Sequence, residues 1–274
     1  MNLRIGYYFK ELISWMDDVF SPFWDFLSDV IYWMVTSLEG EFGAVPPYVL
    51  IVIFALIAWK VAGHKIAIFT VVAFLLILGM DLWWPTMQTL SLVIVSTFIA
   101  LGIGIPLGIW ASRNERLNII LRPVLDFMQT LPAFVYLIPA ITFFTIGRVP
   151  GVISTVIFAM PPAIRLTNLG IRQVAEDVVE AALAFGSTPN QLLFKVQLPL
   201  ALPTIMAGVN QTIMLALSMV VIASMVGAPG LGEGVLTGIT QYKLDVGFEA
   251  GLAVVLLAMF LDRVTEALGK KHNN

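Results

Sequence analysis

Seven stretches of this chain are each apolar and long enough to cross a lipid bilayer as a helix: 47–63, 65–82, 86–111, 125–147, 149–169, 203–226 and 247–264. A crossing helix needs about 20 such residues. In hydrocarbon a helix satisfies every backbone donor and acceptor within its own segment. The chain is 59% hydrophobic and only 12% charged, against roughly 25% charged in a typical soluble domain. The expectation is an all-α, multi-pass membrane protein of about seven transmembrane helices. The net charge of −3 argues against a generally basic nucleic-acid binder. There is no cysteine, which excludes disulfides, zinc–thiolate sites and cysteine nucleophiles. Glu11, Asp17 and Asp18 interrupt any secretory h-region near the start.

Cationic residues orient the spans, because inner loops are enriched in Lys and Arg. With the N-terminus outside, Lys60, Lys65, Arg113, Arg116, Arg122, Arg165, Arg172, Lys195, Arg263, Lys270 and Lys271 fall inside, and only Arg4, Lys10, Arg148 and Lys243 fall outside. The outer side then collects Asp17, Asp18, Asp25, Asp29, Glu39, Glu41 and Asp81. The first two spans are joined only by Ala62, Gly63, His64 and Lys65, so they form a tight helical hairpin. In residues 11–38, Glu11, Ser14, Asp18, Ser21, Asp25, Ser28 and Asp29 lie opposite Phe20, Phe23, Trp24, Leu27, Ile31 and Met34. That pattern is an amphipathic helix, whole or broken at Ser21-Pro22. It is expected to lie on the outer leaflet, with packing against the bundle as the alternative. Trp15, Trp24, Trp33, Trp83 and Trp84 at the outer side, and Trp59 and Trp110 at inner helix ends, are expected to anchor the interfaces.

One polar stretch interrupts this pattern: EAALAFGSTPNQLLFKVQLPL, residues 180–200. Residues 176–185 predict a short helix with acidic residues in its first turn, as the helix dipole favours. Gly186 can take the left-handed conformation that ends it. Thr188 can cap a second helix, with Pro189 at its first position and Gln191 completing a capping box. Pro199 and Pro203 are expected to close that second helix and begin the next span. So much stop-and-start chemistry suits a rigid protrusion that docks and transmits force, and the charge bias places it in the cytoplasm.

Glu180-Ala181-Ala182, Gly186 after three more residues, and Leu198-Pro199 after eleven more resemble the EAA signature of ABC-importer permeases. Residues 128–152, 158–174 and 195–232 resemble the glycine betaine/proline-type permeases of osmoprotectant uptake, over roughly 85–268. The resemblance implies a type I importer permease fold. It divides the chain into an extracellular N-terminal segment 1–45, a peripheral hairpin 46–84, a permease core 85–268 with its coupling loop at 172–200, and a cytoplasmic tail 269–274. It implies that Glu180, Ala181, Ala182 and Gly186, with Ser187, Pro189 and Gln191 in the same loop, meet a separate ATPase. Glu180 would pair with a basic group on that partner or within the loop. The further implied partners are a second copy of the chain, two cytoplasmic ATPase subunits and an extracytoplasmic substrate-binding protein. The membrane would be a bacterial or archaeal cytoplasmic membrane.

No G-x-x-x-x-G-K-[ST] phosphate loop occurs in the sequence. The chain is therefore expected to be no enzyme and to bind no cofactor, with ATP and Mg on the partner ATPase. No catalytic or metal site is expected, and little chain follows the last span to hold a fused binding domain. Charge-poor span centres argue against a proton-coupled carrier, although sodium coupling through carbonyls stays open. A passive channel would leave the polar protrusion without a purpose. Pro106, Pro132, Pro139, Pro161 and Pro162 are expected to interrupt spans. Gly102, Gly104 and Gly108 allow close helix packing. Candidates to line the path are Gln129, Tyr136, Asn210, Gln211, Met219 and Met225. Asn210, Gln211 and Thr212 either join helices by hydrogen bonds or face the path. VGAPGLG, 226–232, is expected to be an outer turn or re-entrant element.

Overall fold

The computed structural model describes residues 5–270. Arg4 and Lys271 of the charge bias, and residues 271–274 of the tail, lie outside them. Among the described residues every regular element is helical.

α1 (Ile5–Ala44) covers 40 residues as two helical segments that meet at non-helical backbone at Phe20, just ahead of Pro22. The expected break is thus a kink. Trp24, Leu27, Ile31, Met34, Val35, Leu38 and Phe42 recur at helical spacing, and all pack on the main core. The C-terminal half of α1 is therefore a packing helix, as the alternative reading had it. α1 meets α2 (Pro47–Ala62) at 107°. α3 (His64–Gly79) follows at once through Gly63, whose φ of +90° makes the tight hairpin. Phe54 of α2 and Phe74 of α3 pack with tilted rings at 5.1 Å, and Phe74 meets Phe260 edge-on at 5.2 Å. These rings fasten the hairpin to the last helix.

α4 (Trp83–Arg113) and α7 (Arg148–Arg172) form the central pair, with α10 (Leu198–Ala223) packed on α7. Small residues set the approach of α4 to α7. A Cβ on Gly104 would lie 2.9 Å from Ala163 Cβ, and one on Gly108 would lie 2.7 Å from both the Ile164 carbonyl oxygen and Thr167 Cβ. Gly102 meets nothing within 4 Å, so it does not share this role. Hence Gly108→Val should cost about 1–3 kcal/mol by overpacking, while Gly102→Ala should be near neutral. Thermal denaturation of the two purified variants checks the contrast.

The expected span 125–147 is not one straight helix. α5 (Glu115–Thr130) ends at Leu131-Pro132, a single 3₁₀ turn spans Ala133–Tyr136, and α6 (Leu137–Phe144) leaves at 107° to α5. Pro132 has no N–H to continue α5, and it holds Leu131 in extended backbone. Pro106, Pro161 and Pro162, by contrast, lie inside continuous helices, and Pro139 lies within α6. α10 packs closely on the Pro162 stretch of α7: a Cβ on Gly208 would be 3.2 Å from the Pro162 carbonyl oxygen. Among the described residues four helices are long and apolar enough to cross a membrane, and up to six if each bent pair is one span. α3 is apolar but shorter.

After α7 come α8 (Glu176–Ala184) and the one-turn α9 (Pro189–Gln191). α9 does not close at Pro199. It continues through a π-helical segment, Leu192–Gln197, into α10, making one 38-residue helix from Pro189 to Val226. In the π segment the Leu198 N–H donates to the Leu193 carbonyl, five residues back. The donor that Pro199 lacks then falls at the changeover from π to α, so the helix is re-registered and not broken. Beyond α10, Gly227 and Gly230 turn the chain at φ +79° and +130°, and α11 (Leu231–Thr240) packs on α12 (Leu244–Lys270).

Trp24 and Trp83 are not interfacial anchors. Trp24 stacks on Phe143 at 4.7 Å, and Trp83 is buried beside Phe74. Trp15, Trp33, Trp59, Trp84 and Trp110 are exposed, as a belt requires.

Candidate functional site

The polar loop folds as a rigid corner. α8 ends in a Schellman arrangement: the Gly186 N–H donates to the Leu183 carbonyl at 2.9 Å and the Ser187 N–H to the Ala182 carbonyl at 3.1 Å. Gly186 has φ +81°, the left-handed region. Two residues on, the Gln191 N–H donates to Thr188 Oγ1 at 3.3 Å while the Thr188 N–H donates to Gln191 Oε1 at 2.9 Å. That is the complete capping box, with Pro189 at the first helical position.

Glu180, Ala181, Gly186, Pro189 and Gln191 are exposed, and Ala182 and Ser187 are half-buried. Of the two pairings open to Glu180, the one within the loop is not made among the described residues. Phe185, which the sequence did not single out, is 92% exposed at the corner, and Phe194 and Leu183 are exposed nearby. Apolar groups at the tip of a polar loop mark a contact surface. Leu193 anchors the corner from beneath, buried with Ile171, Ala201 and Ile205.

A polar network ties the loop end of α7 to the α4–α5 turn. Arg172 pairs with Glu115 at 2.7 Å and donates to the Ala111 carbonyl and to Asn168 Oδ1. Asn168 donates to Asn118, which donates to Glu115. The Arg172 guanidinium holds the Glu115 carboxyl below the usual carboxylate range, so the attraction is complete at neutral pH and lost only as pH falls through that lowered value. Arg165 pairs with Asp126 at 2.6 Å, and Arg113 donates to Asn190 of the corner.

The six path candidates do not converge. Tyr136 and Met219 are buried together with Leu137 and Val226, behind the break between α5 and α6. The Tyr136 hydroxyl donates to the Met128 carbonyl. Asn210 turns away to α12: its Nδ2 donates to Asp262 Oδ1 at 2.9 Å and its Oδ1 accepts from Thr265 Oγ1 at 2.7 Å. Of the two readings of that amide, the interhelical bond is the one made. Thr212 is buried and bonds back to the Gly208 carbonyl. Gln211 and Met225 are exposed, with Ser218 between them at seven-residue spacing, so they form one open stripe along α10 and the 3₁₀ turn Ser224–Val226 that continues it. Gln129 is also exposed, at the end of α5.

The opposite end of the bundle holds a feature that sequence spacing did not single out. Arg148 donates to both carboxylate oxygens of Glu39, Nε to Oε1 at 3.1 Å and Nη2 to Oε2 at 3.0 Å. The Glu39 side chain is only 7% exposed and that of Arg148 28%. The turn just before Arg148 has Thr145 at φ +59° and Gly147 at φ +142°. The Gly147 N–H donates to the Val226 carbonyl at 2.9 Å. This fork therefore binds α1 to the turn that locks the α6–α7 connection to the end of α10. The two partners are 109 residues apart, and only their opposite charges on the same outer side hinted at the pair.

The fold is a bundle of bent and crossing apolar helices, several long enough to cross a membrane, with one rigid, exposed corner. Residues 104–273 match the family described as binding-protein-dependent transport system inner membrane component, and the chain belongs to that family. It is 53% identical to the glycine betaine transport system permease protein OpuAB of Bacillus subtilis, over 95% of this chain and 93% of that protein. It is 52% identical to the glycine betaine/carnitine transport permease protein GbuB of Listeria monocytogenes, over 95% and 96%. A chain of the MetNI methionine ABC transporter, solved in inward-facing conformations, superposes with a TM-score of 0.65 at 24% identity, over 70% of this chain and 96% of that one. The fold is thus that of the ABC-importer permease, in a multi-pass membrane protein.

Proposed function

We propose that this chain is the permease subunit of an ATP-driven importer that carries glycine betaine or a related quaternary ammonium or proline-type osmolyte into the cell. The observation that carries the mechanism is the exposed corner at 176–191, in which a Schellman stop and a capping box hold Phe185 and Glu180 outward. A corner fixed by hydrogen bonds at both helix ends can pass a rigid-body push to α7 and α10; a floppy loop would absorb it. Glu180, Ala181, Ala182, Gly186, Ser187, Pro189 and Gln191 form the contact with a cytoplasmic ATPase, which binds the ATP and Mg.

Two copies of the chain enclose the path between them. The open stripe of Gln211, Ser218 and Met225, with Gln129, faces it, while Tyr136 and Met219 back its wall. A loaded binding protein docks outside, ATP draws the two ATPase subunits together, and the corners swing the bundles outward-open. Hydrolysis resets the dimer and substrate leaves inward. On this reading residues 1–45 lie outside, 46–84 form a peripheral hairpin, 85–268 form the permease core with its loop at 172–200, and 269–274 form a cytoplasmic tail, into whose first residues α12 extends. The 107° turn from α1 to α2 supports an α1 that runs close to the membrane plane when α2 crosses it.

Sidedness is read with a single cysteine, since the chain has none. Ser28→Cys is expected to react with an impermeant thiol reagent on intact cells; labelling only in inverted vesicles would reverse the orientation. The function is tested in proteoliposomes holding this chain, its ATPase and its binding protein, with ATP inside and labelled glycine betaine outside. The expected result is accumulation that needs both partners and vanishes in a Glu180→Ala, Gly186→Val double variant. Binding-protein-stimulated hydrolysis without betaine accumulation would leave the machine and remove the substrate. Uptake independent of any ATPase would favour an ion-coupled carrier.

A further inference from the structure

α5 has two unlike faces. At about 3.6 residues per turn, Ile120, Val124 and Phe127 share one side of it, and they are 63%, 47% and 63% exposed. Arg122, Asp126 and Gln129 share the opposite side and are exposed too. A charged stripe on a helix of an apolar bundle faces a water-filled space or the bundle interior. The apolar side of α5 therefore meets lipid and the polar side meets water. That polar side opens onto a cavity of about 330 Å³ between α5 and α7, the size of a small-molecule site, which runs from ~300 to ~1,000 Å³. Arg122, Asp126, Arg165 and Arg172 line it, with Leu125 and Ile164 as an apolar wall.

The charges around this cavity do not cancel. Arg172 is engaged by Glu115, the Ala111 carbonyl and Asn168. Arg165 gives only its Nη2 to Asp126 Oδ1, at 2.6 Å. Its Nε and Nη1, and Asp126 Oδ2, have no hydrogen-bond partner among the described residues. Arg122 makes no ion pair and no hydrogen bond among them either. Its field reaches Glu115, which Arg172 already holds. Three guanidiniums are thus matched by two carboxylates, which leaves one positive charge over. In one cavity stand an open guanidinium, the open edge of a second, and one open carboxylate oxygen. A guanidinium fork of this kind suits a carboxylate held by two parallel hydrogen bonds.

We propose that this cavity is a release site for a carboxylate-bearing zwitterion at the loop end of the path. The solute's carboxylate accepts from Arg122 and from the open edge of Arg165. Its cationic end lies beside Asp126, against Leu125 and Ile164. The proposal rests on the importer reading above and adds a rule for the substrate. The spare positive charge requires a carboxylate, so a quaternary ammonium ion without one is repelled. A simple anion would meet Asp126 with nothing to offset it. A lipid would have to enter from the Ile120 side, and the cavity opens on the other.

The test is saturation-transfer NMR on the purified full-length chain in neutral micelles, without binding protein or ATPase, with glycine betaine and choline as probes. Glycine betaine is expected to give a saturable signal at least tenfold above that of choline. Arg122→Gln is expected to weaken betaine binding at least tenfold, and Arg122→Lys to restore part of it. Arg116→Gln, on the Ile120 side of α5, is expected to leave binding unchanged. Arg122 is exposed, so its replacement spares the fold. Equal signals from the two probes, or betaine binding unchanged in Arg122→Gln, would overturn the site. Displacement of betaine by added phosphatidylglycerol would overturn it too, and give the cavity to a lipid headgroup. Proteoliposome uptake is read separately. ATP-driven betaine uptake with no betaine signal on the chain would remove this site and leave the importer. A betaine signal that Arg122→Gln abolishes, without ATP-driven uptake, would leave the site and remove the importer.

Discussion

Replacing Gly186 with valine is expected to abolish substrate uptake and binding-protein-stimulated ATP hydrolysis, while leaving the amount of protein in the membrane unchanged. The reason is local. Gly186 has φ +81°, where a residue with a side chain pays roughly 1–2 kcal/mol, and a β-branched one fits worst. A Cβ there would meet nothing within 4 Å, so the penalty is backbone strain alone. The chain relieves it by abandoning the Schellman stop, which unlocks the Ser187-to-Ala182 bond and swings Thr188 and its capping box off their axis. The corner lies outside the bundle, so the fold survives while its docking geometry does not. Asparagine tolerates the left-handed region, so Gly186→Asn is expected to keep most of the uptake that Gly186→Val loses. Equal loss in both would point to the glycine surface, not its conformation. Equal activity in both would remove the corner from the coupling mechanism.

Arg148→Met is the second large effect. It should lower the stability of the purified chain by about 3 kcal/mol, the low end of the cost of breaking a buried ion pair. The low end applies because Arg148 keeps 28% of its side chain exposed. What remains is the Glu39 carboxylate, 7% exposed, with no counter-charge. The turn at Thr145 to Gly147 also loses its clasp, and strained backbone persists only where its surroundings over-determine it. Glu39→Gln combined with Arg148→Met should recover a large part of the loss, because no charge is then stranded. Thermal melts of the two single variants and the double variant supply the cycle. Additive losses would show that the fork contributes nothing as a pair.

The corner was the most legible part of the molecule, and its chemistry explains why. The Gly186 stop, the Thr188 cap, Pro189 at the first position and the Gln191 return bond all act within a few residues of one another. Local sequence therefore specifies them completely. The Gly63 hairpin and the kink ahead of Pro22 were legible on the same ground. The reading failed where helix continuity depends on a neighbour. Pro199 reads as a stop, yet a π segment re-registers the helix past it. Pro161 and Pro162 read as breaks, yet α10 lies against the Pro162 carbonyl and the helix runs through. Within the span 125–147 the reading held at Pro132, which interrupts the helix as expected and turns the chain.

Among the path candidates the same division holds. Hydropathy marks Asn210 as polar within a span but cannot say which way it faces. Only the packing of α10 on α12 turns it to Asp262 and Thr265 and leaves Gln211, its neighbour, on the open stripe. The sequence by itself determined that the chain is a helical membrane protein, where most of its helices begin, and the form of its docking corner. Those follow from transfer free energy and from hydrogen bonds between near neighbours. Only the tertiary structure decided the Glu39–Arg148 fork, the stacking of Trp24 on Phe143 and the burial of Trp83. Those contacts join residues many turns apart, and their partners are chosen by how helices of fixed shape can pack, which no local pattern encodes.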